Sequence, residues 1–470
     1  MDDKTSIFIF RRDLRLDDNT GLIKALNLSG KVIPLFILTP TQVSDINKFK
    51  SSNSIQFMIE SLIDLDQQIK DVNKSCKLWV MYGDEIDCID KICSKINIDS
   101  IYVNEDYTPY SITRDNRIKK YCKKNNIILD SSTDILLLDT QDIAANNGNR
   151  YHIFTQFYNK TKDMPIRKPN YDVGGNFMKL DKKFKNNNIK VMQEFLLGEN
   201  FYEINEKIAI NGGRSEGLES LNKLKKFKSY AKTRNTMSLE TTKLSAHNKF
   251  GTISVREAYY AMMSKAKSID MAKQLYWRDF YYYISTYFDT LYQYDHIYKK
   301  SKKGSAQWEN DKKLLKAWKS ANTGYPIVDA AMTELNETGF MHNRGRMIVA
   351  SFLTKDLLID WKYGEQYFAT KLVDIDRAQN IGNWNWSASF GMDSTTFLRI
   401  FNPWTQSGEY DCDAEYIKKW LPKLSDIPAK HLHQWDKFHS EHPNVDYPKP
   451  IVDHSIRRKM FIDLYKKYFG

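Results

Sequence analysis

Near its start the chain reads SIFIFRRDLRLDDNTGLIKALNLSGKVIPLFIL (6–38), and this stretch contains two short apolar runs, SIFIF (6–10) and KVIPLFIL (31–38). Similar runs recur at KLWVMYG (77–83), SIYVN (100–104) and NIILD (126–130), and segments with helical spacing of apolar residues lie between them, at SIQFMIESLIDLDQQI (54–69) and EIDCIDKICSKI (85–96). Apolar strands that alternate with amphipathic helices are typical of a parallel sheet with helices on both faces. Residues 1–135 are therefore predicted to form an α/β domain with a doubly wound parallel sheet.

The rest of the chain follows a different pattern. Residues 136–200 contain the polar runs NNGNR (146–150) and KNNN (185–188) and are predicted to connect two domains. From residue 201 onward no strand-like alternation is evident, whereas 257–288 and 344–361 have helical periodicity throughout. Residues 201–470 are predicted to form an all-α domain.

Composition excludes several classes of protein. The chain has 470 residues, of which 41% are apolar and 27% charged, as in a globular protein with about two to four domains. Its apolar runs are strand-sized, and its N-terminus has acids where a signal peptide needs basic residues. The five cysteines, an odd number without CxxC spacing, argue against a disulfide framework or a zinc site. We expect a soluble, intracellular protein with reduced cysteines and no metal.

Positive charge is concentrated in the second part of the chain. The net charge of +12 divides into −2 for residues 1–150, with 20 basic and 22 acidic residues, and +14 for residues 151–470, with 50 and 36. Compositional drift would not be confined to one part of the chain. The asymmetry therefore favours a polyanionic partner that binds the C-terminal two-thirds.

Aromatic residues are a further feature of the helical part. Most of its tryptophans suit a helical core, but Trp384 and Trp386 lie two residues apart. Residues at this spacing on a helix point about 200° away from each other. One of the pair is predicted to face the core and the other a cavity, where an aromatic ring can stack on a base or on an aromatic cofactor.

The segment TGFMHNRGRMIVASF (338–352) has polar residues on a predicted helix. Asn343 and Met347 are i,i+4 neighbours on one face, and His342 and Arg346 form the adjacent stripe. These polar residues are followed directly by a strongly apolar stretch of the same helix, and they need hydrogen-bond partners if they are buried. The segment predicts a polar pocket, with His342 in a structural role.

Arg346 needs a carboxylate partner if it is buried, because an unpaired buried charge is costly. Asp374 and Asp376, in the segment VDIDRAQN (373–380), are the candidates. Either pairing would bring the two segments together in the helical domain.

A third segment, YAKTRNTMSLETTKLSAHNKFGTIS (230–254), carries the hydroxyl residues Thr241, Thr242 and Ser245 just before or at the start of a predicted helix. Backbone N–H groups at a helix N-terminus bind phosphate well. The same residue types also serve as ordinary N-caps. Taken by itself, the segment favours the ordinary N-cap interpretation.

Six segments, in order and with matching spacing, resemble the photolyase/cryptochrome family over nearly the whole chain. They are FRRDLRLDDNTGL (10–22), TTKLSAHNKFGTIS (241–254), LYWRDFYYYI (275–284), TGYPIVDAAMTELNETGFMHNRGRMIVASFLTKDLLIDW (323–361), NWNWSASFGMDSTTFLRIFNPWTQ (383–406) and EYIKKWLPKL (415–424). Within the family, residues 341–361 most resemble the class I cyclobutane pyrimidine dimer photolyases.

The resemblance implies an α/β antenna domain and a helical domain that holds U-shaped FAD beside a groove for UV-damaged DNA. The implied activity is that of a light-driven lyase, which splits cyclobutane pyrimidine dimers by electron transfer from photoexcited reduced FAD. The residues that map onto FAD contacts are Tyr230, Thr241, Thr242, Lys243, Leu244, Ser245, Arg278, Arg346, Asp374 and Asp376, with Asn380 opposite flavin N5. Trp384, Trp361 and Trp308 map, in that order, onto an electron-transfer chain from flavin to surface. The residues that map onto lesion and DNA contacts are Arg234, Gln274, Trp277, Asn343, Arg344, Met347, Trp386 and Gln406.

Two positions favour different lesions. Gln274 stands where class I enzymes have a Glu, and Gln is typical of (6-4) photolyases and animal cryptochromes. The (6-4) reaction of the family uses two histidines as proton donors, however, and their positions map onto Asn343 and Met347. Because missing acid chemistry is harder to replace than a Glu-to-Gln change, we expect repair of cyclobutane dimers, with (6-4) photolyase as the alternative.

The antenna and the choice between repair and signalling are further expectations. Thr108 replaces the Glu of folate-binding members, so the second chromophore is a folate, a deazaflavin or absent. A cryptochrome photoreceptor is the other alternative, but Asn380 and the absence of a long polar extension before Gly470 favour repair. We expect a monomer that has no obligate protein partner and works wherever DNA is. The lysines at 299–303 are expected to form a solvated loop rather than a nuclear signal.

Overall fold

The computed structural model describes residues 4–141, 143–145, 147–180, 190–191, 201–288, 291–292, 306–393 and 398–469. Its N-terminal part contains a sheet of strands β1 (Thr5–Phe10), β2 (Lys31–Leu38), β3 (Trp79–Tyr82), β4 (Ser100–Asn104), β5 (Ile128–Ser132) and β6 (Lys190–Val191). The strands lie in the order β5-β4-β1-β2-β3-β6. Strands β1 to β5 are parallel, and the two-residue β6 pairs antiparallel with β3. The predicted α/β domain is therefore confirmed.

Alternating side chains of the strands contribute to two separate hydrophobic clusters, one on each face of the sheet. Ile7 and Ile9 of β1 lie in one buried cluster, whereas Phe8 and Phe10 lie in another on the opposite face. Helices α1 (Thr20–Leu28), α2 (Pro40–Val43) and α3 (Ser52–Val72) border the phenylalanine face, and α4 (Glu85–Cys93) and α5 (Pro109–Lys124) cover the other. Burial of both faces explains why the strands are continuous apolar runs.

The predicted connection contains one helix among its described residues, α6 (Phe154–Thr161), which the sequence pattern did not reveal. Phe154 and Phe157 of this helix pack into a cluster of the helical part that includes Phe280. Residues 181–189 and 192–200, with the KNNN run, lie outside the described residues. The domain boundaries at 135 and 200 stay predictions.

From residue 201 onward the described residues form helices and no strand, as predicted. The α-helices are α7 (Arg214–Lys223), α8 (Tyr230–Thr233), α9 (Ser245–Phe250), α10 (Val255–Ala261), α11 (Ile269–Tyr287), α12 (Lys312–Lys319), α13 (Pro326–Thr338), α14 (Asn343–Ser351), α15 (Trp361–Lys371), α16 (Arg377–Ser387), α17 (Pro403–Tyr410), α18 (Glu415–Trp420), α19 (Ala429–Leu432), α20 (Trp435–Phe438) and α21 (His454–Phe469). Among the residues that the structure describes, every helix falls short of the length and apolar content needed to cross a bilayer. The lysines at 299–303 lie outside the described residues.

Two segments with unbroken helical periodicity are interrupted in the structure. Between α10 and α11 a π-helical turn spans Met262–Ala266, Lys267 adopts a left-handed conformation with φ of 52°, and Ser268 caps α11. A second π-helical turn, Phe352–Asp356, follows α14, and a new helix then begins at Trp361. Apolar spacing did not predict either break, because a π turn inserts only one residue into the helical pattern.

A buried network of charges joins the α/β domain to the helical part. Arg15 donates to Asp134 at 2.6 Å, and Arg256 of α10 donates to Asp134 at 2.8 Å and to Asp18 at 2.6 Å. Burial by itself would raise the pKa of Asp134, but the two arginines hold it well below its usual value. Loss of one partner would leave a buried uncompensated charge, which typically costs about 3–5 kcal/mol. The network therefore holds the two parts together.

Candidate functional site

Two aspartates just before α16 bind arginines from distant parts of the chain. Asp374 accepts hydrogen bonds from Nη2 of Arg346 at 2.9 and 3.2 Å. Asp376 accepts from Nη2 of Arg12 at 2.5 Å and from the hydroxyl of Tyr282. Arg346 thus pairs with Asp374, one of the two carboxylates that the sequence offered, whereas Asp376 binds the α/β domain.

Arg12 reaches this pocket from the carboxyl end of β1. Strand β1 lies between β2 and β4, at the point where the strand order reverses, and ligands of doubly wound sheets bind in the crevice at this point. The guanidinium also donates to the carbonyl of Lys249 at 3.1 Å and to Asp106 at 3.3 Å. Burial would lower the pKa of Arg12, but the adjacent acidic groups raise it well above its usual value. The α/β domain thus supplies a permanent cation to a pocket of the helical domain.

Arg278 of α11 forms the next part of the pocket. It donates to the carbonyls of Ile135 at 2.5 Å and of Asn248 at 3.2 Å. Its Nε and the side-chain Oδ1 of Asn248 are buried, and neither has a hydrogen-bond partner among the described residues. Because buried polar atoms are normally paired, these two atoms indicate a place for a polar ligand.

The segment before α9 does not cap that helix. Helix α9 begins at Ser245 with Leu244 as its N-cap, and among the described residues this helix has no side-chain capping hydrogen bond. Lys243 adopts a left-handed conformation with φ of 52°, which separates Thr241 and Thr242 from the helix. The interpretation of these hydroxyl residues as ordinary N-caps is therefore wrong.

Tyr230 lies at the start of α8 and packs, partly buried, against the cluster that contains Leu244 and Leu275. Burial raises the pKa of its hydroxyl. The tyrosine thus borders the segment 241–245 from the side of α11.

Asn380 is held in one orientation by Glu365 of α15. Its Nδ2 donates to the backbone carbonyl of Glu365 at 3.0 Å and to Oε1 of the same residue at 2.9 Å. Both residues are buried, and Glu365 is fully so. A free asparagine can present either its oxygen or its nitrogen to a ligand. Here the nitrogen is occupied, so Oδ1 is the atom left for a ligand to use.

Trp384 and Trp386 point to different sides of α16, as their spacing predicts. Trp384 is 3% exposed and lies in the main helical core, whereas Trp386 is half-buried at the surface. The Trp384 ring lies so close to Gly364 of α15 that a Cβ there would collide with it. The close approach of the two helices thus depends on glycine at position 364.

The other two tryptophans of the predicted electron-transfer chain lie in the same region. Trp361 is 2% exposed and belongs to the buried cluster of Trp384, and Trp308 packs against that cluster while half-buried. The ring of Trp308 stacks on Phe461 of α21, with centroids 6.4 Å apart. Of the three tryptophans of the predicted chain, Trp308 is therefore the most exposed to solvent.

Trp277 has one face covered by an aromatic ring that the sequence did not predict. Phe154 of α6 stacks on it with centroids 3.5 Å apart and planes 9° from parallel. Tyr281, one turn along α11, stacks at 6.1 Å and packs against Gly382 of α16. These contacts tie Trp277 to the helix that carries Trp386.

Three arginines lie together beside this aromatic surface. The guanidinium of Arg344 lies 4.0 Å above the Tyr410 ring, and that of Arg399 lies 5.8 Å above Trp386. Burial, with the nearby charges of Arg234 and Arg399, lowers the pKa of Arg344. Like charges held this close make the surface attractive to an anion.

Two glutamines border the arginines and the aromatic rings. Gln406, one turn before Tyr410 on α17, is 9% exposed, and its Oε1 has no hydrogen-bond partner among the described residues. Gln274, three residues before Trp277 on α11, is half-buried and donates to the carbonyl of Asp270 at 3.2 Å. Both amides retain acceptor groups for a further ligand.

A buried carboxylate holds the start of α14. The Oε2 of Glu334 accepts from the N–H of His342 at 2.9 Å and from the hydroxyl of Tyr416 at 2.6 Å. The Nδ1 of His342 in turn accepts from the N–H of Arg344 at 3.1 Å and caps the helix. His342 thus has a structural role, as the sequence indicates.

Asn343 and Met347 share one face of α14. The Nδ2 of Asn343 lies 3.7 Å from the sulfur of Met347, as expected for i,i+4 neighbours. Asn343 is exposed and Met347 half-buried, so this face is open to a ligand.

Acidification is expected to destabilise the protein through His342. Burial, aided by Arg344 and Arg346, lowers the pKa of His342 to about 4. Between its ordinary value of about 6.5 and this value, the unfolded chain binds a proton that the folded chain does not, which costs about 1.4 kcal/mol per pH unit. His342→Asn keeps a capping side chain but cannot titrate. Chemical denaturation at pH 6 and at pH 5 measures the free energy of unfolding of both proteins. Between these two pH values, the wild type should lose about 1.4 kcal/mol more than the variant.

The comparison of the two proteins isolates this residue, because the other titrating groups are common to both. His247, for example, has its pKa lowered to about 4 by burial and contributes equally to each. An unchanged difference between wild type and variant at the two pH values would contradict the prediction.

Thr108 has a structural contact of its own. It caps α5 by accepting from the N–H of Ser111 at 3.1 Å and donates to the hydroxyl of that serine at 2.8 Å. Its side chain is therefore already used where folate-binding members carry a glutamate.

Together these features define a class of protein with a polar ligand pocket between a doubly wound domain and a helical domain, next to an aromatic, arginine-rich surface. The family model described as FAD binding domain of DNA photolyase matches residues 271–467, and the model described as DNA photolyase matches residues 6–170. The deoxyribodipyrimidine photo-lyase of Buchnera aphidicola is 34% identical over 489 aligned positions, which cover 97% of this chain and 96% of the relative. The chain belongs to the DNA photolyase family, and its helical part contains the FAD-binding domain of that family.

Solved structures agree with this assignment. An archaeal photolyase from Sulfolobus tokodaii, which holds two FAD molecules, superimposes with a TM-score of 0.86 at 39% identity, over 98% of this chain and 99% of that one. A cryptochrome from Synechocystis superimposes with a TM-score of 0.85 at 27% identity, over 99% of each chain. The predicted family and fold class are confirmed.

Proposed function

We propose that this chain is a light-driven DNA repair lyase that uses FAD to split cyclobutane pyrimidine dimers. The observation that carries the proposal is helix α16, which has Asn380 in the buried pocket and Trp386 at the open surface. Six residues of helix separate them, about 9 Å along the axis. A cofactor in the pocket and a lesion on the surface would then be close neighbours. The name of the Buchnera relative, deoxyribodipyrimidine photo-lyase, supports the choice of substrate.

The residues of the pocket fit FAD. The unpaired Nε of Arg278 and Oδ1 of Asn248 are one donor and one acceptor for its polar groups, and Thr241, Thr242 and Ser245 precede or open a helix that no side chain caps. Uncapped N–H groups and hydroxyls suit a pyrophosphate. Arg346, Asp374 and Asn380 would face the isoalloxazine ring, with Tyr230, Lys243, Leu244 and Asp376 completing the pocket.

The chemistry that reduced FAD would supply in this pocket is the light-driven donation of one electron to the lesion, with return of that electron after the ring is split. The round trip has no net redox change and needs no nucleophile from the protein. The task of the chain is to hold polar groups in place, which the half-buried Arg346–Asp374 pair and the buried Asn380–Glu365 pair do. Because Glu365 holds the amide nitrogen of Asn380, the side chain presents an acceptor, and flavin N5 would be favoured in its protonated form.

The aromatic surface would hold the flipped lesion. Flipping costs a few kcal/mol, and least for a damaged, poorly paired site. Stacking on Trp277 and Trp386 would offset this cost, since base–aromatic stacking contributes about 1–3 kcal/mol per base. Phe154 stiffens Trp277 by covering its other face. Asn343, Met347, Gln274 and Gln406 would contact the lesion or its flanks.

The experiment that tests the proposal is repair in the light. Purified protein that contains FAD is incubated with dimer-containing oligonucleotide, and dimer loss is measured under blue light and in darkness. We expect loss of dimers in the light alone. A flavin-loaded protein that leaves the dimers intact would overturn the proposal and would favour the cryptochrome alternative.

The second chromophore and the setting of the protein complete the proposal. The second chromophore is a folate, a deazaflavin or absent, and the Sulfolobus photolyase, which holds two FAD molecules, adds a flavin as a further choice. We expect the chain to act as a soluble monomer, without an obligate protein partner, in the compartment that holds DNA.

DNA binding is expected to weaken steeply with salt. Each phosphate that a side chain neutralises contributes about −0.9 to the slope of log K against log salt for duplex DNA. Arg344→Gln should therefore reduce the magnitude of the slope by about one, in a titration of damaged duplex DNA from 50 to 200 mM salt. Arg458→Gln, an exposed arginine of α21, is the matched control and should leave the slope unchanged. Equal slopes for wild type and Arg344→Gln would contradict the role of Arg344 at a phosphate.

A further inference from the structure

A second row of aromatic rings leads from Trp384 to the surface, apart from Trp361 and Trp308. The ring of Trp318 lies 6.2 Å from that of Trp384, and Tyr367 lies 5.7 Å from Trp318, centroid to centroid. Trp318 is fully buried, and Tyr367 is half-buried. The row therefore begins in the core and ends at solvent.

Tyr367 forms one wall of an open pocket of about 380 Å³. The other residues that line it are Lys312, Leu315, Lys316 and Lys319 of α12 and Ser320, which caps the C-terminus of that helix. The three lysines follow an i, i+4, i+7 pattern and so lie along one edge of the helix. The pocket thus combines an apolar floor with a cationic rim, and its volume lies in the usual range for small-molecule sites.

The positive charge of this pocket is not balanced by an ion pair within the described part of the chain. The Nζ atoms of Lys319 and Lys371 lie 5.2 and 5.8 Å from the centroid of the Tyr367 ring. Within the described residues, neither these two lysines nor Lys312 and Lys316 form an ion pair. Burial lowers the pKa of Lys319, so an anion in the pocket would favour its charged form. The site selects a small anion that can lie against an aromatic ring.

We propose that this pocket binds a small anionic one-electron reductant, of the enediolate class, and that Trp318 passes its electron to Trp384. The proposal rests on the proposed function and on the electron-transfer role that the family resemblance implies for Trp384, whose indole would lose one electron to the flavin in the light. The reductant loses one electron, and the oxidised indole of Trp384 regains one by way of Trp318. The enediol monoanion releases its remaining hydroxyl proton to solvent as it loses the electron, so charge is conserved. The phenol of Tyr367 keeps its own proton in the hydrogen bond to Asn336, at 2.6 Å.

The positive charge of the lysines favours electron transfer along this row from the surface into the protein. Positive charge beside Tyr367 disfavours a cationic hole at that ring, so the row is poorly suited to release oxidising equivalents to solvent. The same charge raises the local concentration of an anionic donor. The pocket is therefore an entry point for electrons, separate from the DNA surface at Arg344 and Trp386.

Binding in darkness is the first test, with ascorbate as the probe. Equilibrium dialysis of the FAD-loaded protein should show ascorbate binding that Lys312→Gln/Lys316→Gln weakens severalfold. Lys119→Gln/Lys123→Gln removes the same charge, at the same spacing, from the exposed face of α5 and should bind like wild type. Equal binding of ascorbate by all three proteins would contradict the proposal that this pocket is the binding site.

Photoreduction of bound FAD is the second test. Trp361→Phe, which interrupts the first row, should retain ascorbate-dependent photoreduction, and adding Trp318→Phe should remove it. In the Trp361→Phe background, the two lysine changes should raise the ascorbate concentration needed for half-maximal rate. If Trp361→Phe shows no more photoreduction than Trp384→Phe, the second row does not carry electrons to Trp384, and the proposal is overturned.

These outcomes are separable from failure of the proposed function. If the wild type repairs dimers and photoreduces its flavin while the second row is inactive, only this inference fails. If the wild type does neither, the proposed function fails. Flavin content and circular dichroism of Trp318→Phe establish that a lost signal does not reflect misfolding, and dark binding by Trp361→Phe tests the pocket without any change at Trp318.

Discussion

DNA with cyclobutane dimers is expected to be repaired at least about a hundred times faster than the same DNA with (6-4) photoproducts, because the second reaction also needs an acid. General acid catalysis is worth roughly a hundred- to ten-thousand-fold. The open face of α14 carries Asn343 and Met347, and neither side chain is an acid. His342, the nearest histidine in the chain, is 3% exposed, and its Nδ1 accepts a hydrogen bond from Arg344. Its pKa of about 4 keeps it neutral, so it has no proton to supply at neutral pH.

The measurement compares both lesions in one sequence context, with chemically reduced enzyme and equal light. Gln274 is the residue that argues for the other outcome, since it is typical of (6-4) photolyases. Gln274→Glu should keep or raise dimer repair if the residue only adjusts hydrogen bonding to the substrate, because a charged acceptor makes a stronger bond. Preferential removal of (6-4) products by the wild type would show that Gln274 outweighs the face of α14.

Trp384→Phe is expected to reduce light-driven reduction of oxidised FAD to the level of the dark control. Both aromatic rows begin at Trp384, so this single change interrupts each of them. Repair by chemically reduced enzyme should stay unchanged, because Trp384 is buried on the side of α16 that faces away from Trp386. The absorbance of FAD under blue light and dimer loss after reduction measure the two effects separately.

Trp420→Phe is the matched control, since Trp420 also packs, partly buried, against the main helical core but lies in neither row. It should behave like wild type in both assays. Unchanged photoreduction in Trp384→Phe would mean that electrons reach the flavin by a path that does not begin at this residue. Loss of repair in the reduced variant would instead place Trp384 at the lesion.

The elements with strong local patterns are the ones that the sequence predicted well. Strands β1 to β4 coincide with their apolar runs to within two residues, and β5 begins two residues later than NIILD (126–130) suggests. Helix α6 was missed because it packs through Phe154 and Phe157, which lie too close together in a short helix to form a periodic pattern. The two π turns were missed because apolar spacing continues through them.

Some site residues were accessible to sequence reasoning and others were not. Arg12 stands just after the first strand, at the position where doubly wound sheets bind ligands, so its role had a local signal. Glu365, Phe154 and Arg399 had none. Phe154 acquires its role from Trp277, 123 positions on. Glu365 and Arg399 acquire theirs from residues of α16 that lie 15 and 13 positions away in the chain.

Periodicity and local motifs were sufficient to predict the two-part architecture, the family and the divergent orientations of the two tryptophans of α16. The tertiary structure was needed to show which aspartate holds Arg346, which way the amide of Asn380 faces and where a second aromatic row meets the surface. Asp374 and Asp376 are equivalent in the sequence, and the arrival of Arg12 from the α/β domain distinguishes them. The physical reason is that pairing of buried charges and contacts between rings are set by which distant segments packing brings together, and local patterns do not encode that choice.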